Sequence, residues 1–474
     1  MAGANDCGDM YASVVSRRLV KASDASIKPL VLPVSSLDLL MQGIQVSMFC
    51  IYPRPTAGGF DDVVAAFETG LPTFLNHFFP FAGRIATNPR SGVPEIHCSN
   101  QGAELVVAKV GVLLASLDFG TMSASVRKTQ LPYAQDVTLS VQVVSFTCGG
   151  FTVSWCTSHL LVDGSALSLL VGVWSELARS GTLAAESRPN HDRSVLRPRA
   201  PPSYGAWLDA AFTPLHGERQ VNVLTTEQSF VERLYYIEAP DIERLRRAAS
   251  RDGDGQRATR VQAVSAYLWK ALAGVVGAAD AHCRMGWWVD GRRRITAAPQ
   301  GQRAAMRNYV GNVVEFSVRE ASVQEVVRMP LLEVAAMVRE ATTTSAAAAA
   351  ASERLQELVD WAEEHKTQRH VETATIGLGS PTLCVTAFAS FPLDTDFGFG
   401  RAAMAMPTSE PGARQCSGYV QIVVRPGDDG SWIASAFVWP RLAAALETDE
   451  PRVFRPVTAE YLGLCSSQVQ RCRL

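Results

Sequence analysis

Thr157-Ser158-His159-Leu160-Leu161-Val162-Asp163-Gly164 is the stretch on which the rest of the chain turns. Upstream, Val137 to Phe146 is rich in β-branched and apolar residues, and Cys148-Gly149-Gly150 supplies turn residues. Phe151 to Trp155 then alternates large apolar with small polar side chains. Two period-two runs around a glycine pair predict a hairpin. Downstream, Leu167, Leu169, Leu170, Val173, Trp174 and Leu177 recur at helical spacing, and Gly181 follows as a stop. His159 therefore falls where a buried strand gives way to a helix, with Asp163 near the helix start.

A histidine at a strand end is more often a hydrogen-bonded structural residue than a catalyst, and H-x-x-x-D alone occurs by chance in many chains. Zinc fits poorly. The sequence has no H-E-x-x-H, no C-x-x-C, and no second His or Cys at ligand spacing near His159. A serine hydrolase also fails, since there is no G-x-S-x-G elbow. What remains is a histidine without a nucleophile of its own, acting as a general base on a bound substrate.

The whole chain sets bounds on that chemistry. Its 474 residues are 47% hydrophobic, ample for a large core and two domains. A net charge of −2 leaves no field to attract nucleic acid, and no basic tail is present. Ten scattered cysteines lack framework spacing and read as reduced thiols of a reducing compartment. Residues 1–15 carry no apolar core of a signal peptide, and no run of about 18 apolar residues predicts a membrane span. The expectation is a soluble cytoplasmic protein. The last residues, Cys472-Arg473-Leu474, are a relaxed form of the S-K-L address and hold a peroxisome open as the alternative.

Fold class follows from alternation. The run Gln45 to Tyr52 predicts a strand, Val63 to Phe78 an amphipathic helix, and Glu95 to Cys98 and Glu104 to Val107 further strands. Residues 186–225 change to Pro- and charge-rich sequence, including Arg197-Pro198-Arg199-Ala200-Pro201-Pro202, and predict a crossover linker. The expected division is 1–185, this linker, and 226–474. In the second half Phe230 to Ile237 predicts a strand, Val261 to Leu272 a helix, and Met285 to Asp290 a strand running into a basic turn. Residues 331–365, with alanines 346–351, predict one long helix, since alanine is the best helix former. Leu383 to Phe388 and two late strands follow.

With His159-x-x-x-Asp163-Gly164 and Asp396-Phe397-Gly398-Phe399-Gly400 both placed, the chain resembles the plant BAHD acyltransferase family, whose members carry H-x-x-x-D-G mid-chain and D-F-G-W-G near the C-terminus. Ser36-Leu37-Asp38 resembles that family's opening L-S-x-L-D, and Phe79-Pro80-Phe81-Ala82-Gly83-Arg84 its F-Y-P-L-A-G-R element. Asp290-Gly291-Arg292-Arg293-Arg294 matches D-x-R-x-R, and Tyr309-Val310-Gly311-Asn312 matches Y-F-G-N. The motifs stand in the family's order along nearly the whole chain.

The resemblance implies an α/β fold of two similarly sized domains, each a mixed sheet flanked by helices, similar to chloramphenicol acetyltransferase subunits. A substrate channel runs between them, and a segment near 382–405 completes the first domain. It implies a monomer of plant specialised or cell-wall metabolism that needs no bound cofactor or metal and takes acyl-CoA as co-substrate. It implies transfer to the hydroxyl or amine of a small molecule, with His159 as the base. Asp163 is then a structural partner of Arg292, although a carboxylate that orients the His159 ring remains the alternative from the residues alone. The Asp396–Gly400 turn is structural, and Thr386 touches the acceptor.

Departures from the pattern bear on substrate. Phe399 replaces the tryptophan of D-F-G-W-G, and Thr386-Ala387-Phe388 replaces T-S-W, so two indole N–H donors are gone. Val313 replaces the cysteine of malonyl-transferring members, which favours an aromatic donor, hydroxycinnamoyl or benzoyl. Amine acceptors or an aliphatic donor are the nearer alternatives, and acidic residues in the acceptor half of the channel discriminate for amines. A non-catalytic accessory role in lipid elongation is the alternative of another class, disfavoured by the intact His159, Asp163 and Gly164. Cys156, three residues before His159, invites an acyl-enzyme, but alternation along a strand would point the two apart. Direct transfer in a ternary complex is the expectation.

Overall fold

The computed structural model describes residues 11–465 apart from 122–125, 216–229, 252–256, 295–303, 344–347, 377–378, 392, 394, 410–416 and 428. Cys472-Arg473-Leu474 lies outside the described residues. Two mixed sheets organise the molecule. The first runs in the order β1 (Ser13–Val20), β6 (Ala103–Val110), β7 (Ser140–Phe146), β8 (Phe151–Ser158), β3 (Gln45–Tyr52) and β15 (Met404–Ser409). The second runs β12 (Val314–Ser322), β11 (His282–Asp290), β14 (Thr382–Ala387), β16 (Gly418–Val424), β17 (Trp432–Val438), β10 (Val231–Ile237) and β18 (Arg455–Pro456). Small ribbons of β2 (Leu30–Pro33), β5 (Pro94–Cys98) and β4 (Arg84–Thr87), and of β9 (Phe212–Pro214) with β13 (His370–Glu372), flank them.

The glycine pair makes the hairpin: β7 and β8 pair antiparallel with Ser145 opposite Phe151, and Gly149 turns at φ 81°. β8 is buried on both faces because helices cover one side and neighbouring elements the other, so its central residues are apolar or hydroxyl-bearing. On the covered side, the helices Phe60–His77 and Gly164–Ser180 stack Phe67 on Trp174 with ring centroids 4.8 Å apart. The second sheet is backed by Arg260–Val276, Leu331–Thr342 and Pro440–Thr448, whose apolar faces bury Trp269, Val334 and Leu442.

A third apolar cluster joins the two halves. Phe49 and Ile51 of β3 and Met404 and Met406 of β15 pack with Leu234 of β10, Val423 of β16 and Ile433 of β17. Full burial of each such side chain contributes about 1.5–3 kcal/mol. The halves therefore meet through core, which fixes the walls of whatever lies between them.

The single helix expected over 331–365 is two. Leu331–Thr342 ends with Thr343 extended at φ −103°, ψ 113°, and a separate helix runs Ala348–Glu364. Thr342 and Thr343 donate their hydroxyls back to the carbonyls of Val338 (2.8 Å) and Arg339 (2.5 Å). Such back-bonding competes with continuation of the helix, and β-branching adds to it. The alanine run governs only the second helix.

Candidate active site

β8 ends at Ser158, and the His159 amide donates to the Ile44 carbonyl at 2.8 Å, the last ladder bond before the chain leaves the sheet. Thr157 ties this strand end down: its hydroxyl donates to Thr138 O at 2.6 Å, and its carbonyl accepts from the Tyr133 hydroxyl at 2.9 Å. Leu160, Leu161 and Val162 bury themselves in the first core and anchor the turn. Asp163 then caps the helix Gly164–Ser180, accepting from the Ala166 amide at 2.9 Å.

Asp163 is almost wholly buried, and its environment is fully specified. Arg292 donates from Nη1 to Oδ2 at 2.6 Å and from Nη2 to Oδ1 at 3.2 Å. The Val313 amide donates to Oδ2 at 2.9 Å. With Ala166, these contacts give each carboxylate oxygen two hydrogen bonds, filling its lone-pair sites. Arg292 also donates to the carbonyls of Tyr309 (3.0 Å) and Gly311 (2.9 Å) and to Asp290 Oδ1 (3.1 Å). Burial alone would lower the Arg292 pKa, but the charges of Asp163 and Asp290 outweigh it and raise the guanidinium further. Asp290 is also raised: burial lifts its carboxyl, offset in part by the charge of Arg292. One ion-paired knot thus ties the helix start of the first half to the Tyr309–Val313 segment of the second.

A second knot lies beside it. Asp38 follows Ser35 in a capping box, and its Oδ2 accepts from the Ser35 amide at 2.8 Å and pairs with Arg193 Nε at 3.1 Å. Its Oδ1 accepts from both the backbone amide (2.8 Å) and the side-chain Nδ2 (2.9 Å) of Asn312. Asn312 Nδ2 also donates to the His159 carbonyl at 2.8 Å, and its Oδ1 stands 3.1 Å from His159 Nδ1. Both guanidiniums lie over the Tyr309 ring, Arg193 at 5.2 Å and Arg292 at 5.8 Å from its centroid.

His159, Asp163, Gly164, Asp290 and Thr386 all line one cavity of about 720 Å³ between the halves. Its other walls include the rings of Trp287, Trp288, Phe388, Phe391 and Tyr419 and the carboxylate of Glu372. Phe388 packs on Phe391 with centroids 5.6 Å apart. The Asp396–Gly400 turn is elsewhere. Asp396 accepts from the Gly398 amide at 3.0 Å, its carbonyl accepts from the Ser175 hydroxyl at 2.7 Å, and Phe397 is buried against Trp155 and Phe67. Phe399 sets its ring edge-to-face on Phe151. The turn pins a late segment onto the first core.

Cys156 is buried in the sheet, opposite Ser140 on one side and Ser47 on the other. Burial pushes its thiol up to about 12, despite a hydrogen bond from Ser47. A thiol held so far above neutrality supplies almost no thiolate.

Asp38, Arg193 and Asn312 are the site residues that sequence reasoning did not assign. Asp38 and Asn312 stood in motifs without a role. The available signal was a charged residue inside the apolar run Leu37 to Leu40, a position that folding has to satisfy with partners.

The model of the group described as the Transferase family matches residues 11–442. The chain is similar to putrescine hydroxycinnamoyltransferase 1 of Oryza sativa subsp. japonica, 28% identical over 451 residues, covering 89% of this chain and 94% of that protein. It is also similar to omega-hydroxypalmitate O-feruloyl transferase of Arabidopsis thaliana, 24% identical over 390 residues and 80% of each chain. Among solved structures, vinorine synthase superposes with a TM-score of 0.67 at 19% identity, covering 96% of this chain and 99% of that one. F. graminearum TRI101 complexed with coenzyme A and T-2 mycotoxin gives a TM-score of 0.70 at 15% identity, covering 89% and 98%.

Proposed function

The chain belongs to the Transferase family, the BAHD acyl-CoA-dependent acyltransferases, and from that premise we propose that it moves an aromatic acyl group onto a small-molecule alcohol with His159 as the general base. The enzyme class comes with the family: an acyl-CoA thioester is co-substrate, and the acceptor is a hydroxyl or an amine. The observation that carries the site assignment is the place of His159, at the end of β8 in the wall of the inter-sheet cavity.

An alcohol is a weak nucleophile at neutral pH. As its oxygen attacks the thioester carbonyl, His159 takes the hydroxyl proton. The C–O bond forms, the C–S bond breaks on collapse of the tetrahedral intermediate, and the imidazolium returns the proton to the departing coenzyme A sulfur. Holding both substrates in one cavity makes the step effectively unimolecular. The Phe388 side chain has no N–H to offer the developing oxyanion, and Thr386, near the end of β14, is a cavity-lining hydroxyl two residues before it. The aromatic donor is supported by the rings that line the cavity and by relatives named for feruloyl and hydroxycinnamoyl transfer.

Transfer to an amine is a second reading, favoured by Glu372 in the cavity wall, the other two carboxylates there, Asp163 and Asp290, being paired with Arg292. We place the enzyme in the cytoplasm; no helix among the described residues is long and apolar enough to cross a membrane. The test is release of free thiol from feruloyl-, p-coumaroyl-, benzoyl- and acetyl-CoA against a panel of alcohols and amines. Aromatic thioesters consumed fastest with an alcohol support the first reading. Turnover confined to acetyl-CoA, or to amines, contradicts the corresponding half of it.

A further inference from the structure

We propose that Asn312 is the positioning residue that sets the tautomer of His159, presenting Nε2 as the basic nitrogen, and that Asp38 in turn holds Asn312. The proposal rests on His159 being the base, but its geometry stands without reference to any substrate.

The amide of Asn312 has only one orientation that satisfies its surroundings. Nδ2 carries two hydrogens, and both are used, one on Asp38 Oδ1 at 2.9 Å and one on the His159 carbonyl at 2.8 Å. Reversing the amide would set its oxygen against two other acceptors while turning the NH2 toward the imidazole, leaving a nearly fully buried side chain doubly unsatisfied. Oδ1 therefore faces His159 Nδ1, 3.1 Å away, and an oxygen can only accept. Nδ1 must carry the hydrogen. The lone pair of the neutral ring is then on Nε2, at the edge away from Asn312. His159 is among the residues that line the cavity and Asn312 is not, in keeping with Nε2 as the nitrogen presented there.

Asp38 makes the arrangement rigid. It grips Asn312 by backbone and side chain through the same oxygen, while Ser35 and Arg193 hold the other. The series Arg193, Asp38, Asn312, His159 runs from a cation through an anion to a neutral amide and then the ring. The neutral amide is what distinguishes it from a carboxylate–histidine pair. A carboxylate on Nδ1 would stabilise the imidazolium and raise the ring's pKa; an amide fixes the tautomer without that charge. The other charged groups in the cavity wall are engaged: Asp163 by Arg292, Ala166 and Val313, and Asp290 by Arg292. Glu372 lies in the cavity wall and accepts from Trp288 Nε1 at 3.3 Å.

The test is nitrogen NMR of the full chain labelled with 15N-histidine, at a pH above the ring's titration, with the His159 signals identified by their loss in H159A. The expected result is a protonated Nδ1 and an unprotonated Nε2. In Asn312→Ala, shown folded by circular dichroism, the signals move to an averaged position or to the Nε2–H form. A wild-type ring protonated at Nε2 overturns the proposal and needs no variant to show it. An Nδ1–H tautomer that persists unchanged in Asn312→Ala overturns the role of Asn312. Full acyl transfer by His159→Ala would instead defeat the base assignment while leaving the tautomer result intact, so the two failures are distinguishable.

Discussion

Phe388 lies so close over Gly164 that a β-carbon built on the glycine would sit 2.3 Å from the ring's Cε1. Gly164 opens the helix behind His159, and Phe388 follows β14 of the other sheet, so this contact closes the cavity across the two halves. Gly164→Ala has to displace the ring. Overpacking of this kind costs about 1–3 kcal/mol, and the displaced ring enters substrate space. The expected outcome is a lower melting temperature and a raised KM, both relieved by adding Phe388→Leu. An unchanged KM and Tm in the single variant would show that the cavity does not depend on this contact.

Asp163→Asn acts through stability. It leaves the buried Arg292 guanidinium without its main counter-charge, and breaking one side of such a pair costs roughly 3–5 kcal/mol. Chemical denaturation should show that loss with the slope unchanged. A normally stable but inactive Asp163→Asn protein would mean that the carboxylate acts on the His159 ring after all.

The legible part of this site was local. β8, the turn and the helix after it follow from period-two and period-3.6 patterns around Gly149-Gly150 and Gly181, and the ends of each element carry their own signals. The cavity was legible only through motif resemblance, because Trp287, Thr386 and Phe388 are brought to His159 by β11 and β14, over a hundred residues on in sequence. Nothing in the local sequence of Asn312 announces that its amide faces the ring of a residue 153 positions earlier. The helix break at Thr343 was missed for a different reason. The alanine run dominates a propensity argument, whereas the hydroxyl back-bonds that end the first helix depend on two adjacent threonines.

Cys156→Ser should keep most of the activity, and initial rates at varied acyl-CoA and acceptor should give intersecting double-reciprocal plots. The thiol, pushed up to about 12 by burial within the sheet, is not a nucleophile near neutral pH. Parallel plots with an acylated Cys156 peptide by mass spectrometry would contradict direct transfer.

His191 predicts a pH dependence of stability. Its Nε2 donates to the His77 carbonyl at 3.0 Å, and its ring meets Phe78 edge-on. Burial first, and then the Arg193 charge, lower its pKa to about 4, against a partial opposing effect of the His77 carbonyl. The unfolded chain takes up this proton below about pH 6.5, whereas the folded chain resists until about 4. The contribution is therefore complete above pH 6.5 and lost progressively as the pH falls toward 4. His191→Asn keeps a donor for His77 and cannot titrate. Its melting temperature should fall less than the wild type's between pH 7 and pH 5; equal falls would show that His191 does not titrate differently in the two states.

The central claim is that the imidazole of His159 takes the acceptor's proton, and single-turnover acyl transfer by His159→Ala tests it most directly. Loss of a general base typically lowers the rate by about 10²–10⁴-fold. The account predicts a loss in that range, with the melting temperature within a few degrees of wild type and acyl-CoA still bound. A folded His159→Ala enzyme that keeps more than about a third of the wild-type rate, well above the loss expected for a base, would place the chemistry on another residue.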